Sequence, residues 1–265
     1  MLIEDLLTIY VEAYQYAKQC LKHPSRVADY VVEARKKASS FLYGIGGQCI
    51  HRGVMCADPF YEIDSNITRG KLTDKVPKRK NYYRYSFDNN GSLLLVEKYC
   101  DVDSVEVLCR EGSIVYGLDF PVRFMDDLHA THITIYGNVL MEGRVEASFY
   151  SSKVELEADL NDRLSMQGRE VIKAHFWGNV IEYENDVPVR YFPSIRCELY
   201  SGENETIKNQ IVAHSHGYKL YLNDVGDVTH CNNIMDEHDD GDQNIRKLEK
   251  PIPRKQWDNS YGLTP

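Results

Sequence analysis

Lys153-Val154-Glu155-Leu156-Glu157-Ala158-Asp159-Leu160 alternates apolar and charged side chains without a break. A period of two puts Val154, Leu156, Ala158 and Leu160 on one face of a strand and the charges on the other, so the segment reads as a half-buried strand with one wet face. The same period runs through Val105, Val107 and Cys109, through Val145, Ala147 and Phe149, and through Ile195, Cys197 and Leu199. Turn signals separate these runs: Asp88-Asn89-Asn90-Gly91, Glu111-Gly112, Tyr136-Gly137-Asn138, Asn161-Asp162, Asn185-Asp186, Ser201-Gly202 and Asn223-Asp224. No helical pattern intervenes, which argues against crossover connections. Residues 81–225 therefore read as an antiparallel meander of about eight to ten strands.

The N-terminus has a different period. Ile3, Leu6, Leu7, Tyr10, Tyr14, Ala17 and Leu21 recur at helical spacing. His23-Pro24-Ser25 breaks the pattern and offers Ser25 as the N-cap of a second helix, carried by Val27, Tyr30, Val31, Ala34, Ala38, Phe41 and Leu42. Gly44, Gly46 and Gly47 end it, as glycine does past a helix C-terminus. The expected fold class is α+β: a helical hairpin over residues 1–43 packed on a long, twisted antiparallel sheet, one domain spanning 1–245. From Arg246 the chain has prolines and charges but no period, and reads as an extended or disordered tail over 246–265.

Composition fits that picture. The 265 residues are 43% hydrophobic and 27% charged, enough apolar content for a packed core and too little charge for a disordered chain. No run approaches the roughly 18 apolar residues of a membrane-spanning helix, and the acidic start Met-Leu-Ile-Glu-Asp lacks the basic head of a secretory signal. Seven cysteines, odd in number and never in a Cys-x-x-Cys pair, read as reduced thiols, so the expected compartment is the cytoplasm.

Charge is unevenly placed. Between Arg69 and Arg84 stand seven bases and one acid; between Glu97 and Arg163 stand 14 acids and six bases; Asp224 to Asp242 holds seven acids and no Lys or Arg. The net charge of −9 argues against nucleic acid and anionic membrane as general partners and for a basic protein drawn to the acidic segments. The residues expected to meet it are Asp126, Asp127, Glu155, Glu157, Asp159, Asp236, Glu237, Asp239 and Asp240. The basic cluster, with Tyr82, Tyr83 and Tyr85, has the composition of a nucleic-acid strip and equally that of a lysine-protected edge strand; the acidic whole favours the edge strand.

Tyr85-x-x-Asp88-x-x-Gly91 is echoed by Tyr221-x-x-Asp224-x-Gly226, one residue shorter between Asp and Gly. These hairpins resemble the Tyr-Asp repeats of bacterial polymorphic-toxin shells and the short Tyr/Gly hairpins of toxin-antidote proteins, although two unrelated hairpins that need the same turn would look alike. The resemblance implies an immunity protein, one that neutralises a basic toxin domain. No nucleophile elbow of the Gly-x-Ser-x-Gly kind occurs, which leans away from an enzyme, and no cofactor is expected. The competing enzyme reading is a metal-dependent hydrolase or nuclease built on His214-x-His216, which would share a strand face, with His230 and His238 adding ligands. Cys49-x-His51-x4-Cys56 and His129-x-x-His132 are further ligand-type groupings, the first short of a full zinc set. A third reading is a scaffold protein whose sheet edge pairs with a neighbour.

Overall fold

The computed structural model describes residues 8–12, 24–47, 50, 70–101, 103–123, 125–126, 128, 132–141, 144–151, 154–155, 172–201, 207–213, 217–234 and 245–253. Residues 8–12 are helical, and α1 spans Pro24–Lys37. Proline opens α1, one residue ahead of the expected Ser25 cap, because its fixed φ suits a first helical position and its missing N–H has no intrahelical partner there. Arg35, Lys36 and Lys37 close it, complementing the negative end of the helix dipole.

The described strands are β1 (Ser40–Ile45), β2 (Lys71–Thr73), β3 (Tyr82–Phe87), β4 (Leu93–Tyr99), β5 (Ser104–Glu111), β6 (Ile114–Pro121), β7 (His132–Met141), β8 (Arg144–Ser151), β9 (Val154–Glu155), β10 (Ile172–Glu184), β11 (Val187–Ser201), β12 (Ile207–Ala213), β13 (Gly217–Leu222), β14 (Val228–Ile234) and β15 (Arg246–Ile252). They form one sheet in the order β15-β14-β13-β11-β10-β8-β7-β6-β5-β4-β3-β1-β2, with β12 beside β11 and β9 beside β7, and every described pairing is antiparallel. The meander was expected; its extent was not. It begins before residue 81 and continues past 225, where β15 pairs with β14 in the segment expected to be a tail. Of the alternating stretch 153–160, the described residues Val154 and Glu155 form β9 against β7.

Of the helical hairpin expected over 1–43, residues 1–7 and 13–23 lie outside the described residues, and the second helix is corrected at its end. α1 stops at Lys37, and residues 40–45 are β1, paired along their whole length with β3. Ala38, Phe41 and Leu42 fit the spacing i, i+3, i+4, but Phe41-Leu42-Tyr43 fits a strand equally well, and pairing with β3 decides the matter. Gly44 is consequently a strand residue rather than a helix stop; a Cβ there would come within 3.0 Å of the Tyr85 ring.

Among the described residues, helix covers the central strands on one face of the sheet. Ile9 and Tyr10, with Val31 and Ala34 of α1, pack on Leu95, Val105, Val107, Leu118, Phe120, Ile135, Phe149, Phe176 and Ile195. Tyr10 lies 5.4 Å from the rings of both Phe149 and Phe176. Phe149 in turn rests on Gly137, where a Cβ would fall 2.2 Å from its ring, so glycine is required for this layer to close. On the opposite face a second cluster gathers Ile50, Tyr83, Tyr85, Phe87, Leu93, Val96, Leu108 and Val115. A third, Ile181, Tyr191, Leu220, Val228 and Ile252, fastens β15 to the sheet.

Candidate protein-binding face

The β3–β4 hairpin sets the site. Asp88 caps its loop: the side-chain Oδ1 accepts from the amides of Asn90 and Ser92, both at 2.8 Å, and Gly91 takes φ +80°, a conformation that costs glycine little. That turn fixes the register, and the register places Arg84 opposite Glu97, Tyr82 opposite Tyr99, and Tyr43 of β1 opposite Arg84.

Glu97 is fully buried and holds two arginines. Arg35 of α1 donates from Nη2 to Oε1 at 2.7 Å, and Arg84 donates from Nε to Oε2 at 2.6 Å. Arg35 Nη2 also donates to the Met125 carbonyl at 3.1 Å. One carboxylate therefore positions two guanidinium groups that keep about 30% and 28% of their side-chain surface exposed. The Arg84 guanidinium lies 5.8 Å from the Phe41 ring and 5.7 Å from the Tyr99 ring, a cation–π arrangement on both sides. Tyr82 stacks on Tyr99 at 4.8 Å and meets Tyr43 edge-on at 5.9 Å. Burial pushes Tyr99 up to about 12, with the Glu97 charge acting the same way, and burial likewise raises Tyr82. Both hydroxyls stay protonated and able to donate at any physiological pH.

Around this locked centre the surface is apolar and cationic. Phe41 is 44% exposed, and Ile45, on the same face of β1, is also exposed. Lys71 pairs directly with Ile45, and Lys75, Lys78, Arg79 and Lys80 are exposed beyond it. The basic cluster read as an edge strand is thus divided: the edge is β2, while β3 lies inside the sheet between β1 and β4. Of these site residues, Tyr82 and Arg84 were visible as members of that cluster; Phe41, Tyr43, Arg35, Glu97 and Tyr99 were not.

A second polar group lies on the face away from α1. Glu106 and Asp119 oppose each other in register on β5 and β6, and the Tyr136 hydroxyl donates to Glu106 across Gly117, where a Cβ would collide with the Tyr136 ring at 2.1 Å. Burial, reinforced by the Glu106 charge, pushes Asp119 up to about 7, against the opposing effects of a Ser104 hydrogen bond and the Lys98 charge. Asp119 therefore keeps a proton for part of the time near neutrality. Tyr136 and Glu106 are both buried, so the group belongs to the sheet interior.

Among the expected partner-binding acids, Asp126 is exposed, beside the Met125 carbonyl that Arg35 engages. Glu155 contributes its backbone to β9 opposite His132. Asp127, Glu157, Asp159, Asp236, Glu237, Asp239 and Asp240 lie outside the described residues. So do His214, His216 and His238; His230 sits on β14, half-buried, with Nδ1 2.9 Å from the Thr229 hydroxyl. Among the described residues no three His, Cys, Asp or Glu side chains are grouped to hold a metal ion, and no described helix is long and apolar enough to cross a membrane. Cys49, His51, Cys56 and His129 also lie outside the described residues.

No protein-family model, curated protein or solved structure matches this chain.

Proposed function

We propose that this chain is a non-enzymatic protein-binding module, and most concretely an immunity protein that neutralises a toxin domain. One observation carries the binding reading: a rigid centre of Arg84, Tyr82 and Tyr99, fixed from beneath by buried Glu97, beside exposed Phe41 and Ile45. Tyrosine and arginine anchors held in one rotamer lose little entropy on binding, which is why they dominate interface hot spots. Arg84 has three constraints on its side chain: a carboxylate below and a ring on either side. The immunity reading adds the net charge of −9 and the acid-rich stretches 97–163 and 224–242, which would draw the basic surface of a toxin and speed encounter, while the aromatic centre makes the short-range contact.

The test uses the product of the adjacent reading frame, purified and titrated against this chain. The Phe41→Ala/Tyr82→Ala double variant should weaken the complex at least tenfold, chiefly through faster dissociation. Raising salt should slow association of the unaltered chain, since steering is screened beyond about 8 Å at physiological ionic strength. Equal affinity of the double variant would contradict the binding reading; salt-independent association would contradict the electrostatic part of the immunity reading.

A further inference from the structure

We infer that the face formed by Phe41, Tyr43, Ile45, Tyr82, Arg84 and Tyr99 docks an acidic protein segment that carries an aromatic or aliphatic anchor. The inference rests on the binding-module reading and adds the chemistry of what is bound.

Charge comes first. Two guanidinium groups share the one Glu97 carboxylate, so the triad keeps one positive charge, and both arginines reach the surface. Among the described residues, Lys36 and Lys37 at the end of α1, Lys71 on β2, and Lys75, Lys78, Arg79 and Lys80 after it are all exposed, seven bases against exposed Glu33, Asp74, Asp101 and Asp126. This end of the sheet is therefore cationic within a chain of net charge −9, and a basic segment would be repelled from it. The tyrosine hydroxyls, protonated as argued above, are donors suited to carboxylate oxygens.

The apolar part decides between protein and nucleic acid. Single-stranded nucleic acid needs ring faces on which bases stack. Here Tyr82 and Tyr99 stack on each other, and Arg84 spends its charge on Glu97 and lies over Phe41 and Tyr99. What the surface offers instead is Phe41 and Ile45, exposed side chains on the same face as Tyr43 and Arg84 that pair with apolar anchors of a polypeptide. Combined with the acid-rich stretches elsewhere, a bipolar chain would hold a bipolar partner in one orientation, because complementary charges fix register across an interface.

The test is fluorescence anisotropy with three labelled probes: a 16-residue peptide of Glu interrupted by two Trp, the same peptide with Lys in place of Glu, and oligo-dT of 16 nucleotides. The Glu/Trp peptide should bind at least tenfold more tightly than the other two. Its affinity should fall at least tenfold in Phe41→Ala/Tyr82→Ala, and several-fold in Lys71→Glu/Lys75→Glu, a variant confined to exposed positions that leaves the core untouched. Preference for the Lys/Trp peptide, lost in the Phe41→Ala/Tyr82→Ala variant, would overturn the acidic chemistry yet keep the binding module. Tightest binding of oligo-dT, or unchanged Glu/Trp affinity in both variants, would overturn the inference outright.

Discussion

The β3–β4 and β13–β14 hairpins are the same construction carrying different side chains. Asn223 stands where Asp88 does: its Oδ1 accepts from the amides of Val225 and Asp227, as Asp88 accepts from Asn90 and Ser92. Gly226 matches Gly91, with φ +84° against +80°. The backbone bonds agree as well, Gly226 to Asn223 and Asn223 to Asp227 repeating Gly91 to Asp88 and Asp88 to Ser92. Even the irregularity recurs, with a register shift between Ser86 and Phe87 and another between Tyr221 and Leu222. Position by position, Tyr85 opposite Val96 becomes Leu220 opposite Cys231, and Arg84 opposite Glu97 becomes Lys219 opposite Asn232. The common elements are those the backbone demands: an Asx oxygen to cap the loop and a glycine for positive φ. The differing elements are the cross-strand pairs: the second hairpin has Gly217 and Ile234 where the first stacks Tyr82 on Tyr99. Turn chemistry here specifies a scaffold, and the proposed binding face differs from its counterpart only at cross-strand pairs.

The largest effect should come from separating the two buried polar positions. Glu97→Ala leaves Arg35 and Arg84 facing each other without their counter-ion and should cost about 3–5 kcal/mol in urea unfolding. Asn232→Ala, at the matching but uncharged position, should cost about 1 kcal/mol. Equal costs would mean that the ion triad is no more than a replaceable hydrogen-bond site.

Next comes pH, as a control outside both hairpins. Asp119 has its folded value raised to about 7, so the folded state holds a proton that the unfolded chain has released. Its contribution to stability is complete below about pH 4, the ordinary aspartate range, and is lost as pH rises to about 7. Stability of the unaltered chain should therefore decline across that window, and Asp119→Asn should remove that part of the slope while Asn232→Ala keeps it. An unchanged slope in Asp119→Asn would place the titration elsewhere.

Smaller effects test the shared turn. Gly91→Ala and Gly226→Ala should each cost roughly 1–2 kcal/mol, because alanine resists positive φ, and the two costs should match. Asp88→Asn and Asn223→Asp should each change stability by less than about 0.5 kcal/mol, since either side chain presents the accepting oxygen. A large cost for one exchange alone would break the equivalence of the hairpins.

Legibility followed the range of the interactions. Alternation at Val105, Val107 and Cys109 disclosed strands because period two is a local property, and their antiparallel order followed from the turns between them. Residues 38–42 misled because Phe41 and Leu42 satisfy both periods. The echo in the sequence, Tyr221 and Asp224, falls one residue after the structural equivalents, Leu220 and Asn223, which leave the two loops equal in length. Asparagine hid the match because capping needs an oxygen rather than a charge. The site itself was less legible still. Arg84 and Glu97 lie 13 residues apart across a bulged hairpin, and Arg35 reaches Glu97 from 62 residues away, a contact that only the packing of α1 creates.

The comparison is tested most directly by hydrogen–deuterium exchange with and without the Glu/Trp peptide. Binding at the first hairpin should slow exchange in residues 40–45 and 82–99 and leave residues 217–234 unchanged. Equal protection of both hairpins, or protection confined to 217–234, would show that the shared turn rather than the Arg84–Glu97 face attracts the peptide, and would contradict the account.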